Sequence, residues 1–118
     1  MAGIEDIAAM KLNAIIGNGT RLKDFVDIAY CSSHICLNQM LAAFDKKYQA
    51  RNPVMAIKAL SYFEDINHKE PIHLLNEKLN WPIIEERLTK MIKYPLQTFP
   101  SLLMEIKREN KQGRANAL

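Results

Sequence analysis

No run of apolar residues in this chain of 118 approaches the roughly 18 needed to cross a bilayer as a helix, so a helical membrane span is excluded. Cysteine is scarce. Cys31 and Cys36 are the only two, and with no signal peptide ahead of them the expectation is a pair of free thiols in a reducing cytoplasm. Sustained apolar–polar alternation is missing, as is any Asn-Gly or Asp-Gly turn between β-branched runs, which excludes a strand-built domain. Repeats and low-complexity segments are absent as well. Charge of one sign is in short supply: 16 basic and 13 acidic side chains leave a formal +3, too mild by itself to mark a nucleic-acid binder. What the chain does have is 48% hydrophobic residues, enough for one compact domain to bury a core without disulfides or metal.

Helical spacing organises those apolar residues. A first helix runs from about Ile4 to Ile16 and stops at Gly17-Asn18-Gly19-Thr20, where the glycines are expected to supply positive φ and Thr20 or a neighbour to cap the next helix. In the second helix Leu22, Phe25, Val26 and Ala29 share a face, with Asp24, Asp27 and Cys31 near the other; Ser32, Ser33 and His34 end it. Leu37, Met40, Leu41, Phe44 and Tyr48, at i, i+3, i+4, i+7 and i+11, give the clearest periodic signal and a third helix with Asp45, Lys46 and Lys47 at its end. Asn52-Pro53 opens a fourth that Val54, Ile57, Leu60 and Ser61 carry to Tyr62 or Phe63. The polar stretch from Glu64 to Asn80 reads as a loop with one short helix. Trp81, Ile84, Leu88, Met91 and Ile92 then form a fifth stripe, with Asn80 expected as its cap, Pro82 in its first turn and Pro95 ending it. Pro100 opens a last helix through Leu102, Leu103 and Ile106. The expected fold is therefore all-α, a compact bundle of five to six helices in one domain over residues 1–106, followed by a frayed basic tail over 107–118.

Lys11 is the anomaly in this pattern. At about 100° per residue it falls within about 20° of the centre of the stripe formed by Ile4, Ile7, Ala8 and Ile15. An ammonium on a core-facing stripe must snorkel, meet an anion or lower its pKa, because unpaired burial costs several kcal/mol. Arg21, Lys23, Asp24 and Asp27, just beyond the loop, can supply the partner or share a ligand with it. Asp24 and Asp27 lie on one helical face and can hold a cation or act as base and orienter; as a solvated face they would form surface pairs with Arg21 and Lys23.

The segment Glu5-Asp6-Ile7-Ala8-Ala9-Met10-Lys11-Leu12-Asn13-Ala14-Ile15, followed by Arg21-Leu22-Lys23-Asp24-Phe25-Val26-Asp27-Ile28, resembles the C-terminal helical part of the nucleotidyltransferase-like AbiEii/AbiGii toxins of abortive-infection and type IV toxin-antitoxin systems. The likeness continues through Lys47-Tyr48, Leu60-Ser61-Tyr62-Phe63-Glu64-Asp65 and Asn80-Trp81, and so spans residues 4–93. The resemblance implies an enzyme in two parts: an α/β nucleotidyltransferase core with Gly-Ser and Asp-x-Asp motifs holding Mg²⁺ on a nucleoside triphosphate, and a helical half closing over the nucleotide. It further implies that Lys11 contacts phosphates, that Asp24 or Asp27 fills an acidic catalytic role, and that Arg21 and Lys23 assist.

This sequence departs from that pattern in having no Gly-Ser turn, no Asp-x-Asp and no strands to carry them. The first expectation is thus a helical domain truncated or split from its catalytic core, inactive alone and without a cofactor of its own. A core chain in trans would be its partner. The second is a stand-alone interaction module that binds an antitoxin or pairs with itself through an exposed apolar patch. An RNA-binding helical protein ranks last. Two smaller departures carry structural expectations: Gly3, where a Ser or Asp cap is common, would fray the Lys11 helix, and Cys31-Ser32-Ser33 in place of an apolar end would loosen the second.

Other features read more plainly. Cys31-x-x-His34-x-Cys36 provides only three zinc ligands at irregular spacing, and His68 and His73 are surface histidines in a polar loop. Gly17-Asn18-Gly19 has neither a preceding strand nor a following Gly-Lys-Ser/Thr, so it terminates a helix rather than cradling phosphate. Met10, Met40, Met55, Met91 and Met104 are expected as core filler. Lys107, Arg108, Lys111 and Arg114 lack the interleaved aromatics of a nucleic-acid platform.

Overall fold

In helix α1 (Ile4–Gly17) the adjacent small residues Ala8 and Ala9 are completely buried beside Leu12 and Ile15. Small side chains let neighbouring helices approach closely, and α1 accordingly packs against three of them: α2 (Leu22–Cys31), α3 (Leu37–Lys47) and α4 (Pro53–Leu60). Helix α5 (Trp81–Lys93) packs on α2, and α3 on α4. The computed structural model describes residues 3–69 and 80–102, and among these there are five α-helices and no strand, an all-α bundle as expected. The short helix expected between Glu64 and Asn80, the last helix beyond Leu102, the tail over 107–118, His73 and Met104 lie outside the described residues or largely so.

The buried face of α1 differs from the expected stripe. Ile4 and Ile7 are 37% and 40% exposed, and the buried face is centred on Ala8, Ala9 and Leu12 instead. Lys11 therefore sits at the edge of that face, not its middle. Helix α2 is buried on nearly every side: Asp24 and Cys31, which periodicity put opposite the apolar face, are as enclosed as Phe25 and Val26. Cys31 and Ser32 are packed rather than loosened. Met40 and Met91 fill the core, whereas Met10 and Met55 are about half exposed, at 49% and 46%.

Helix ends follow local side-chain chemistry. None of the described glycines has positive φ; α1 ends because Asn18 turns extended (φ −152°, ψ 94°) while its N–H still reaches the Ala14 carbonyl at 2.8 Å. Asn18 Oδ1 then accepts from the Thr20 N–H at 3.2 Å and the Thr20 hydroxyl at 2.6 Å, so Thr20 is engaged backwards and α2 starts at Arg21 with no side-chain cap. Gly3 likewise offers α1 no side-chain cap. Gln39 Oε1 accepts the Cys36 N–H at 2.9 Å at the start of α3. Asn52 Oδ1 accepts the Val54 N–H at 2.9 Å at the start of α4, which ends at Leu60, earlier than Tyr62 or Phe63. Phe25, Phe63 and Trp81 meet edge to face with centroids 5.3 to 6.4 Å apart, joining α2, the chain after α4 and α5. The Asn67 N–H bonds the Thr20 carbonyl at 2.9 Å and fixes that chain against the α1–α2 turn.

Candidate functional site

The short α1–α2 connection brings the third turn of α1 alongside the first turns of α2. Lys11 Nζ lies 2.8 Å from Asp27 Oδ2 and 3.3 Å from Asp24 Oδ1. The two carboxylates are one helical turn apart, so a single ammonium reaches both. Arg21, at the start of the same helix, places Nε 3.8 Å from the other Asp24 oxygen, Oδ2. Burial grades outward through the cluster: side-chain exposure is 2% for Asp24, 23% for Asp27, 26% for Lys11 and 55% for Arg21. The hydrogen bond to Asp27 is the main reason the Lys11 pKa is raised, outweighing the opposing effect of burial, so the amine is charged. Among the described residues Asp24 Oδ2 is buried without a hydrogen-bond donor and faces the Arg21 guanidinium at 3.8 Å. Lys23 points to solvent and makes no ion pair among the described residues.

Of the five residues singled out in the sequence, four thus meet and Lys23 stands apart. Their formal charges cancel: two cations against two carboxylates. The Lys11 ammonium occupies the space between Asp24 and Asp27 that a divalent cation would take, and no group of three or more His, Cys, Asp or Glu among the described residues could hold a metal. These residues therefore do not fit Mg²⁺. Cys31 adds no nucleophile: burial first, and Asp27 second, push its thiol up to about 11, and both it and Cys36 are buried free cysteines.

Arg87 is a buried charge that the periodicity contained without being read. It sits at i+3 from Ile84 and i−4 from Met91, inside the stripe of α5, and only 2% of it is exposed. Its guanidinium donates to Ser32 Oγ at 2.9 Å and to the Pro100 carbonyl at 2.6 Å, and lies 5.4 Å from the centre of the Phe99 ring. Ser32 in turn donates to the Ala29 carbonyl, and its own carbonyl accepts the Phe99 N–H at 3.0 Å. The polar Ser32 at the end of α2 is thus the anchor for α5 and the segment after it.

Over residues 1–108 the sequence matches the family described as nucleotidyl transferase AbiEii toxin, type IV toxin-antitoxin system. The chain belongs to the AbiEii family. No curated protein and no solved structure matches it. AbiEii membership makes this a nucleotidyltransferase-like protein of toxin-antitoxin systems, and the matched region includes both the Lys11 cluster and the Arg87 anchor.

Proposed function

We propose that this AbiEii chain serves as the helical, nucleotide-closing half of a nucleotidyltransferase-like toxin acting in the cytoplasm. Lys11 and Arg21 receive the phosphates of a nucleoside triphosphate, Lys23 adds positive charge nearby, and Asp24 or Asp27 fills the acidic role. The Mg²⁺-binding aspartates belong to a separate α/β core, in the same polypeptide or another. The observation that carries this reading is the cluster itself, a charged lysine held across two helices by two aspartates beside a half-exposed arginine. Asp-x-Asp occurs nowhere in the 118 residues, so these residues by themselves have no transferase activity on this reading. The test is transfer of labelled nucleotide in the presence of Mg²⁺. The purified chain gives none, and addition of an Asp-x-Asp core protein yields transfer that Lys11→Ala abolishes; incorporation by the chain alone overturns the proposal.

A second reading is favoured by one specific observation. Ile4, Ile7 and Met10 on α1 and Val54 and Met55 on α4 are large apolar side chains between 37% and 49% exposed. Such a surface suits an antitoxin or a second copy of the chain, an interaction module in place of an enzyme half. Size-exclusion chromatography and antitoxin pull-down distinguish the two. A monomer that ignores the antitoxin and binds nucleotide excludes the module.

A further inference from the structure

The two aspartates that Lys11 contacts stand in unlike surroundings, and the difference assigns them different tasks. Asp24 is enclosed and reaches two cations at once, Lys11 through Oδ1 and Arg21 through Oδ2. Its carboxylate has no room to turn into water. Asp27 makes the shorter contact, 2.8 Å, yet lies at the surface with 23% of its side chain exposed. A rotation about its side-chain bonds hydrates it.

We propose that Asp27 is a built-in counter-anion that occupies the phosphate position on Lys11 until a ligand displaces it, while Asp24 is the positioning residue that holds Lys11 and Arg21 as a two-pronged anion clamp. The proposal rests on the phosphate-binding reading above. With Asp27 engaged, the four side chains sum to zero charge and present no net attraction to a phosphate. With Asp27 turned outward, Lys11, Arg21 and Asp24 leave a net positive charge facing the ligand. A phosphate oxygen matches a carboxylate oxygen in charge and in its ability to accept from an ammonium, so the exchange at Lys11 is one acceptor for another. Arg21, more than half exposed, can turn its remaining guanidinium donors toward the same anion without leaving Asp24.

Calorimetric titration of the full chain with inorganic pyrophosphate at low salt separates the roles by sign. Asp27→Asn removes the competitor and binds pyrophosphate about tenfold more tightly than the unmodified chain. Arg21→Gln, at an exposed position that leaves the fold intact, binds about tenfold more weakly. Asp45→Asn, a charge change at an exposed position with no ion pair among the described residues, leaves binding unchanged and controls for net charge. Asp24→Asn, once circular dichroism shows it folded, loses pyrophosphate at lower alkaline pH than the unmodified chain, because Lys11 has lost a neighbouring carboxylate and releases its proton sooner. If Asp24→Asn does not fold, Arg21→Gln alone decides the clamp. Equal or weaker binding by Asp27→Asn, equal tightening by Asp45→Asn, or unchanged binding by Arg21→Gln overturns this proposal and leaves the phosphate reading standing. Absence of binding in every protein, Asp27→Asn included, removes both.

Discussion

Lys11 and Cys31 both hold their protons more tightly in the folded chain than in the unfolded one, one through carboxylates and the other through burial. A raised folded-state pKa supplies stability that is complete below the unfolded value and is lost as pH climbs through the folded one. For Cys31 the loss starts near its ordinary 9.0 and is complete past about 11, amounting to about 2 to 3 kcal/mol. For Lys11 it begins only near 10.5. The melting temperature should therefore fall from about pH 9 upward, and Cys31→Ala should delay the onset to about pH 10, where the loss from Tyr30, whose hydroxyl burial also pushes up, begins ahead of that from Lys11, as thermal melts across that range would show. At neutral pH Lys11→Met should cost about 2 kcal/mol in urea denaturation, because it leaves the enclosed Asp24 with Arg21 as its one remaining ion-pair partner among the described residues. That Lys11 could meet an anion from the start of α2 was one of three outcomes the sequence left open, although the stripe that raised the question was misplaced, since Ile4 and Ile7 are exposed. Which aspartate would be buried was not legible, because Asp24 and Asp27 are indistinguishable in sequence and differ only in what packs over them.

At the scale of helices, the residue that ends α1 is the informative one. Gly17 has no positive φ, and a Cβ built on it meets nothing within 4 Å, so the freedom of glycine is not used there. Gly17→Ala should stabilise the chain by about 0.4 to 1 kcal/mol and raise the melting temperature, since it restricts the unfolded state without strain in the folded one. A lower melting temperature would mean that α1 needs a different geometry at its end. The start of α4 and the basic end of α3 were readable because they depend on residues within a few positions of one another: Asn52 with Val54, Lys46 and Lys47 at the last turn. The buried face of α1 was not readable in the same way. Ile4 and Ile7 are more hydrophobic than Ala8 and Ala9, but the close approach of three helices selects small side chains, a condition set by neighbours remote in sequence.

Across the whole molecule, Arg87 is the joint between α5, the end of α2 and the segment beyond α5. Arg87→Met should cost about 2 to 3 kcal/mol by urea denaturation, and its effect should be less than additive with that of Ser32→Ala, as expected for two side chains sharing one hydrogen bond. Full additivity would show that the two act independently. The sequence by itself determined the all-α class, the five helices near their observed places, and the family, because periodicity, caps and motif order are carried by near neighbours or by linear order. Only the tertiary structure decided that Asp24 is the buried partner of Lys11 and Arg21, that Lys23 stays outside, and that Ser32 receives Arg87. Burial and charge pairing depend on which helices meet and how closely, and contacts across 13 or 55 residues leave no periodic trace in either segment alone.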